Sequence, residues 1–340
     1  MLKSKNVFII AEAGVNHNGK LSLAKELARK AKKAGADAVK FQTWITEDII
    51  IPKTKKPIYQ MNENKENNDQ FNFAKKLELS FEEFVELKKF CKKTKITFLS
   101  TPDDVKSAKF LNKIQNIFKI GSPEFNNFFL IKEICKFNKL ILLSTGLSSI
   151  KDISKTINFL KRINFNIKKK LILMHCNSAY PTPYRDVNLL ALPELKKKFN
   201  VEVGYSDHTN SDEVSIAAVA LGAKVIEKHF TLNKNMSGPD HSTSLDYKEF
   251  SNLVKKIRNI ELSLGSKIKK ITPSASKNLK LMTRGVYASK IIIKNEKFNT
   301  KNISIKRPKN KIAPSDYLKL LGKKSRLKYE KHQSINKNEI

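Results

Sequence analysis

Eight times between residue 8 and residue 265, a short and nearly continuous apolar run gives way to a segment with apolar residues at helical spacing. This alternation limits the fold more than any other feature. Runs that are apolar on both faces suit strands covered on both sides, as in a parallel sheet, and parallel neighbours need a crossover such as a helix. The runs are FIIAEAGV (8–15), AVKFQT (38–43), ITFLSTP (96–102), IFKIGSPE (117–124), LILLSTG (140–146), LILMHCNSAYPTP (171–183), VEVGYSDHT (201–209) and KVIEKHF (224–230). Eight strand-helix units in about 265 residues are what a TIM (β/α)8 barrel, an α/β fold, requires. The competing doubly wound sheet would carry a GxGxxG turn after its first strand, and AEAGVNHNG is not one.

The polar residues of these runs fall at their carboxyl ends, where a barrel builds its active site. They are Glu12, Lys40 with Gln42, Ser100 with Thr101, Lys119 with Ser122 and Glu124, Ser144 with Thr145, His175 with Asn177, Asp207 with His208, and Glu227 with His229. His229 follows His208 by one strand-helix unit, so the two imidazoles should meet on one rim. GPDH (238–241) follows closely and brings Asp240. Two neutral imidazoles with an oxygen-rich remainder suit Mn²⁺ or Mg²⁺ acting as a Lewis acid, and the plainer alternative is a pair of hydrogen-bonded core histidines. Lys40 and Lys119 follow apolar residues, so their ammoniums need compensation from a phosphate or carboxylate, or from salt bridges to Glu12 or Glu124. Thr101, Ser122 and Ser144 add neutral donors to such an anion. Glu12, Glu124 and Asp240 are candidates for proton transfer or for holding substrate hydroxyls.

Two stretches depart from the alternation. The polar insertion at 44–79, with Ile58, Tyr59, Gln60, Asp69 and Gln70, reads as an active-site excursion, and SFEE at 80–83 reads as a capping box that starts the next helix. After Gly265 the text turns to a basic connector (266–281) and then to short β-rich runs (282–340), expected to form a small separate domain whose last dozen residues are a short strand or frayed.

The formal charge of +34, from 66 basic and 32 acidic residues, raises the question of nucleic acid. Residues 266–340 hold 21 Lys or Arg against 4 Asp or Glu, and the rest of the chain supplies an equal surplus of 17 over more than three times the length. Pairs and triplets such as ARKAKKAG and ELKKFCKK read as solvated helix faces, without a zinc-finger or RNA-binding signature. No nucleic-acid partner is expected. Cys91, Cys135 and Cys176 are irregularly spaced and read as packed hydrophobes. With no leader-like run and no apolar stretch of roughly 20 residues, the expectation is a reduced, cytoplasmic protein without a membrane partner.

With AEAGVNHNG, VKFQT, FLSTP, FKIGS, LSTG, HC and YPTP, GYSDHT, VIEKHFTL, GPDH and KRP in this order, the chain resembles the sialic acid synthases from residue 7 to about residue 330. The resemblance implies a metal-dependent transferase that joins phosphoenolpyruvate, an N-acetylated mannose-type sugar and water into a nine-carbon 2-keto acid and phosphate. It also implies a TIM barrel followed by a small antiparallel, antifreeze-like (SAF, β-clip) domain, in a swapped homodimer where one subunit's small domain covers the other's barrel mouth. On that resemblance His208 and His229 hold the metal. Lys40, Thr101, Lys119, Ser122, Ser144, Asn177 and Ser178 contact phosphoenolpyruvate. Gln42, Tyr180 and Asp240 contact the sugar, and Arg307 of the small domain faces its N-acyl group. Glu12 lies near the reacting carbons and Glu124 near the sugar aldehyde.

Four positions depart from the family's usual pattern: Asp103 stands where Phe is usual, Pro123 where Gly is usual, and Lys309 with Lys311 where glycines are usual. Within the family, AEAGVNHNG and NKNMSGPDH tilt the expectation towards N,N'-diacetyllegionaminate, ahead of N-acetylneuraminate from N-acetylmannosamine, with pseudaminate behind. A Schiff-base aldolase and a nucleic-acid-binding protein are remoter readings.

Overall fold

The computed structural model describes residues 6–55, 69–164 and 166–339, and divides at Gly265 into two compact units. Ile58, Tyr59 and Gln60 of the insertion lie outside the described residues. The first unit alternates as the apolar pattern requires: β1 (Phe8–Gly14), α1 (Leu21–Lys33), β2 (Ala38–Thr43), α2 (Thr46–Ile49), α3 (Gln70–Leu77), α4 (Phe81–Lys93), β3 (Thr97–Pro102), α5 (Val105–Leu111), β4 (Ile117–Ile120), α6 (Phe128–Lys136), β5 (Leu140–Ser144), α7 (Ile150–Ile163), β6 (Leu171–His175), α8 (Ala191–Phe199), β7 (Glu202–Asp207), α9 (Glu213–Ala220), β8 (Val225–His229) and α10 (Tyr247–Leu264). The eight strands form one parallel sheet in the order β3-β2-β1-β8-β7-β6-β5-β4. With β3 beside β4, the sheet curls into a nearly closed TIM barrel.

The two-residue period of a strand sorts its side chains into two cores. Ile9 and Ala11 of β1 join the large cluster between sheet and helices, together with Ala24, Leu27, Ala28 and Ala31 of α1. Ile10 instead joins Ala38, Leu99, Ile117, Leu142, Ile172, Met174 and Val225 in a smaller cluster inside the barrel. Two residues beyond Ile10, Ala38, Leu99, Ile117, Leu142 and Val225, the inward positions turn polar. This step from an apolar plug to a polar mouth places Glu12, Lys40, Thr101, Lys119, Ser144 and Glu227.

Local signals set the helix starts. Ser80 and Glu83 form the expected reciprocal capping box on α4, and Ser149 with Asp152 and Asp246 with Glu249 do the same for α7 and α10. The fourth strand is shorter than the sequence pattern suggested. It ends at Ile120, because Pro123 has no backbone N–H for a ladder and the chain turns into a 3₁₀ helix at Pro123–Asn126.

In the second unit, part of the expected connector is a helix, α11 (Pro273–Met282), opened by Thr272 as cap and Pro273 in the first turn. β9 (Gly285–Ala288) and β10 (Ile303–Lys306) pair antiparallel over a core of Val286, Ile292, Phe298, Ile303, Ile312, Leu320, Tyr329 and Ile335. The described residues of the C-terminal segment form isolated antiparallel bridges at Tyr329 and Ser334 in place of a strand. Lys337–Glu339 make a 3₁₀ turn, and the buried Glu339 carboxylate accepts from the Tyr329 hydroxyl at 2.8 Å and from the Arg326 N–H. Arg307 is exposed after β10. Its loop is pinned by Asn310, which donates to the Val286 carbonyl at 2.6 Å and accepts from the Ile312 N–H, while Lys309 and Lys311 point outward.

Candidate active site

The barrel mouth holds a cavity lined by Glu12, Lys40, Gln42, Thr101, Lys119, Ser122, Ser144, Tyr180, His208, His229 and Asp240, so eleven of the sequence-selected residues converge. Strand register explains the convergence. Glu12 of β1 is paired with Lys40 of β2 on one side and with His229 of β8 on the other. Gln42 pairs with Thr101 of β3, and Ser206 of β7 pairs with Glu227 of β8.

The charges are buried and interlocked. Lys40 Nζ lies 2.7 Å from Glu12 Oε2 and 3.8 Å from Glu227 Oε1, and donates to Thr101 Oγ1 at 3.0 Å. Lys119 Nζ donates to Glu227 Oε1 at 2.7 Å, and Ser206 Oγ donates to the same oxygen at 3.0 Å. The two carboxylates are driven apart in acidity. Burial pushes the Glu12 carboxyl up to about 8 against the pull of Lys40. Burial also opposes ionisation of Glu227, but Lys119 and Lys40 overcome it and hold Glu227 at about 2. Glu227 is therefore a fixed anion and Glu12 a group able to exchange a proton near neutral pH.

The two histidine rings lie 5.5 Å apart between centroids, with Tyr180 against both. His208 Nδ1 donates to the Asn177 carbonyl at 2.5 Å, which leaves Nε2 with the lone pair. His229 Nδ1 is buried without a hydrogen-bond partner, 3.7 Å from Asp240 Oδ2. Burial lowers His208 to about 4, and burial with the neighbouring His208 lowers His229 well below the ordinary value, so both rings are neutral at pH 7. Two neutral imidazoles fit a divalent cation. Among the described residues no group of three or more His, Cys, Asp or Glu is set to hold one, so the protein's share would be these two nitrogens.

On the β4–β5 side, Ser144 Oγ is buried and has no hydrogen-bond partner, and Ser122 Oγ accepts from the Gly146 N–H at 3.0 Å. A Cβ at Gly146 would sit 2.7 Å from Ser178 Oγ and 3.0 Å from Ser122 Oγ, so only glycine lets these hydroxyls close up.

Several of the expected residues do not line the cavity, among them Ser100, Thr145 and His175 of the polar rim. Glu124 falls on the 3₁₀ turn that replaces the end of the expected strand, and accepts from Asn127 Nδ2 at 2.6 Å. Asn177 spends its amide on Asp186 O and the Ala179 N–H and contributes its carbonyl to His208. Ser178 stands behind Gly146. Asp207 turns from the mouth to Thr209, Ser215 and Lys228. The lining also includes Glu227 of the expected polar rim and Trp44, Gln70, Phe73 and Leu77 of the expected excursion, together with Ser206, Asp103 and Cys176, to which the sequence reading gave no role in the site.

The model of the NeuB family matches residues 27–269. The chain belongs to the NeuB family. Among curated NeuB relatives, the N,N'-diacetyllegionaminic acid synthase of Campylobacter jejuni is 44% identical over 97% of this chain and 99% of its own. That of Legionella pneumophila is 40% identical over 94% and 90%. The crystal structure of the N-acetylneuraminic acid synthetase of Leptospira borgpetersenii, in complex with citrate, superposes with a TM-score of 0.70 at 35% identity, covering 80% of this chain and 90% of that one. This NeuB chain is accordingly a phosphoenolpyruvate-condensing transferase of the sialic acid synthase type.

Proposed function

We propose that this NeuB chain is an N,N'-diacetyllegionaminate synthase, joining phosphoenolpyruvate to 2,4-diacetamido-2,4,6-trideoxymannose. The observation that carries the reading is the 44% identity to a legionaminic acid synthase along nearly the whole of both chains. The identity of 35% to an N-acetylneuraminic acid synthetase favours N-acetylmannosamine as the second acceptor to try.

Lys40, Lys119, Thr101, Ser122 and Ser144 bind the phosphate and carboxylate of phosphoenolpyruvate and fix its methylene carbon towards the acceptor. The buried Ser144 hydroxyl supports this role, because it lacks a partner inside the protein. Gln42, Tyr180 and Asp240 hold the sugar. His208 and His229 would hold a divalent ion, Mn²⁺ or Mg²⁺, which supplies Lewis-acid polarisation of the acceptor aldehyde. As the new C–C bond forms, the aldehyde oxygen gains a proton, for which Glu12 is the placed donor. Water adds at the enol-derived carbon, and that carbon then loses phosphate with C–O cleavage to leave the 2-keto acid. Glu227 stays ionised and keeps both lysines charged throughout.

The swapped dimer belongs to the same proposal, with the partner subunit's Arg307 facing the N-acyl group. So does a cytoplasmic location. Among the described residues no helix is long and apolar enough to cross a membrane.

The test is phosphate release from phosphoenolpyruvate with each sugar, with the product mass determined, before and after chelation and Mn²⁺ return. We expect release with the diacetamido sugar, loss on chelation, and recovery with Mn²⁺. His229→Ala should abolish turnover while the thermal transition survives, and full activity in that variant would remove the metal assignment.

A further inference from the structure

The cavity is chemically lopsided. Its charged groups come from the strand ends, whereas the side beyond β2 is closed by Val15, Trp44, Phe73, Ala74 and Leu77, a small hydrophobic cluster separate from the main core. The cluster is short of donors. Trp44 Nε1 donates to Thr46 Oγ1 at 3.1 Å, and that hydroxyl in turn donates to Glu78 Oε2 at 2.6 Å, so the indole N–H is spent behind the wall. Gln70, at the start of α3, is the neutral amide on this side. The lysines of the lining, Lys40 and Lys119, are both already paired with carboxylates, and Asp103 adds a further acid.

Resting on the synthase reading above, we propose that the α3 wall selects the acceptor by its end remote from the aldehyde. It takes a C-methyl group and an N-acyl group, and rejects a hydroxymethyl or a phosphate ester. A hydroxymethyl pressed on this hydrocarbon loses its water without gaining a partner. A methyl gains contact instead, and an acyl carbonyl can accept from Gln70. A phosphate would meet Asp103, while Lys40 and Lys119 are committed to their carboxylates and to phosphoenolpyruvate. Pockets of this kind separate substrates differing by one small group by about 10- to 200-fold.

The experiment is kcat/KM at saturating phosphoenolpyruvate for 2,4-diacetamido-2,4,6-trideoxymannose, N-acetylmannosamine and N-acetylmannosamine 6-phosphate. It compares the wild type with Phe73→Gln and the milder Ala74→Ser. We expect the trideoxy sugar to lead N-acetylmannosamine by about tenfold or more, with no turnover of the phosphate ester. Each variant should shrink the ratio, Phe73→Gln by about tenfold, with the KM for phosphoenolpyruvate unchanged, which a merely structural role would not preserve. An equal or reversed wild-type preference overturns the wall while leaving the synthase reading intact. A ratio unmoved in both folded variants does the same. No phosphate release with any sugar overturns the synthase reading and the wall with it.

Discussion

Glu227 shows how much one residue can hold in a site built from charges. It faces two ammoniums and a serine hydroxyl in the closed interior of the barrel mouth. Glu227→Gln keeps the shape but leaves Lys40 and Lys119 short of a counter-charge. Breaking such a pair costs about 3–5 kcal/mol, and we expect a fall of that order in urea-unfolding stability, partly restored by phosphoenolpyruvate as a replacement anion. Unchanged stability without ligand would overturn the counter-charge role of Glu227. Glu227 was legible in principle, since it stands two residues before His229 on a strand and shares its face. Lys228 between them points outward to Asp207 at 3.0 Å. The same period from Ile10, Ala38 and Ile117 gives Glu12, Lys40 and Lys119. Glu124 was put on a strand because the period was carried past the true end of β4.

Among the elements, the segment after β2 is tied to α5 through that helix's cap. Asp104 opens α5 by accepting from the Ser107 N–H at 2.7 Å, and its other oxygen accepts from the Ile45 N–H at 2.9 Å, next to Trp44 of the apolar wall. The Ser80 hydroxyl serves only its own helix, accepting from the Glu83 N–H of α4. Ser80→Ala should cost about 1 kcal/mol, an ordinary cap loss. Asp104→Ala should cost about 2–3 kcal/mol, since the Ile45 N–H loses its partner as well, and should also lower kcat/KM for the sugar. Equal losses in chemical denaturation would contradict the stitching role. Elements of this kind are the least legible part of the chain. The capping box of α4 is written in four consecutive letters, whereas α3 has only eight residues inside a polar insertion, too few for its apolar face to stand out.

For the whole molecule, the alternation of eight runs was enough to give the barrel, because parallel strands buried on both faces admit few closures. The division at Gly265 coincides with the change in texture, but the helix at Pro273–Met282 was hidden by its lysines. Stability should depend on pH through histidines that the fold keeps neutral. Burial lowers His17 to about 4, where its Nδ1 accepts from the Gly19 N–H at 3.1 Å. Below the ordinary value of 6.5 the unfolded chain takes up a proton that the folded chain refuses until about 4. Stability therefore falls as pH drops from 6.5 to 4, by about 3 kcal/mol for this one group. Melting curves across that range should flatten in His17→Gln, which retains an acceptor for Gly19, and an unaltered slope would assign the loss to other groups.

β1 lies between β2 and β8, so the barrel's first strand to be synthesised is completed by the barrel's last. Glu12 meets Lys40 early in synthesis, but its other neighbour, His229, arrives about two hundred residues later. At roughly 5–20 residues per second, one edge of β1 waits some ten to forty seconds for its partner. During that interval the nascent chain exposes an apolar strand edge of the kind that holdase chaperones cover. Ring closure and assembly of the reactive centre then become a single late event in the birth of the protein.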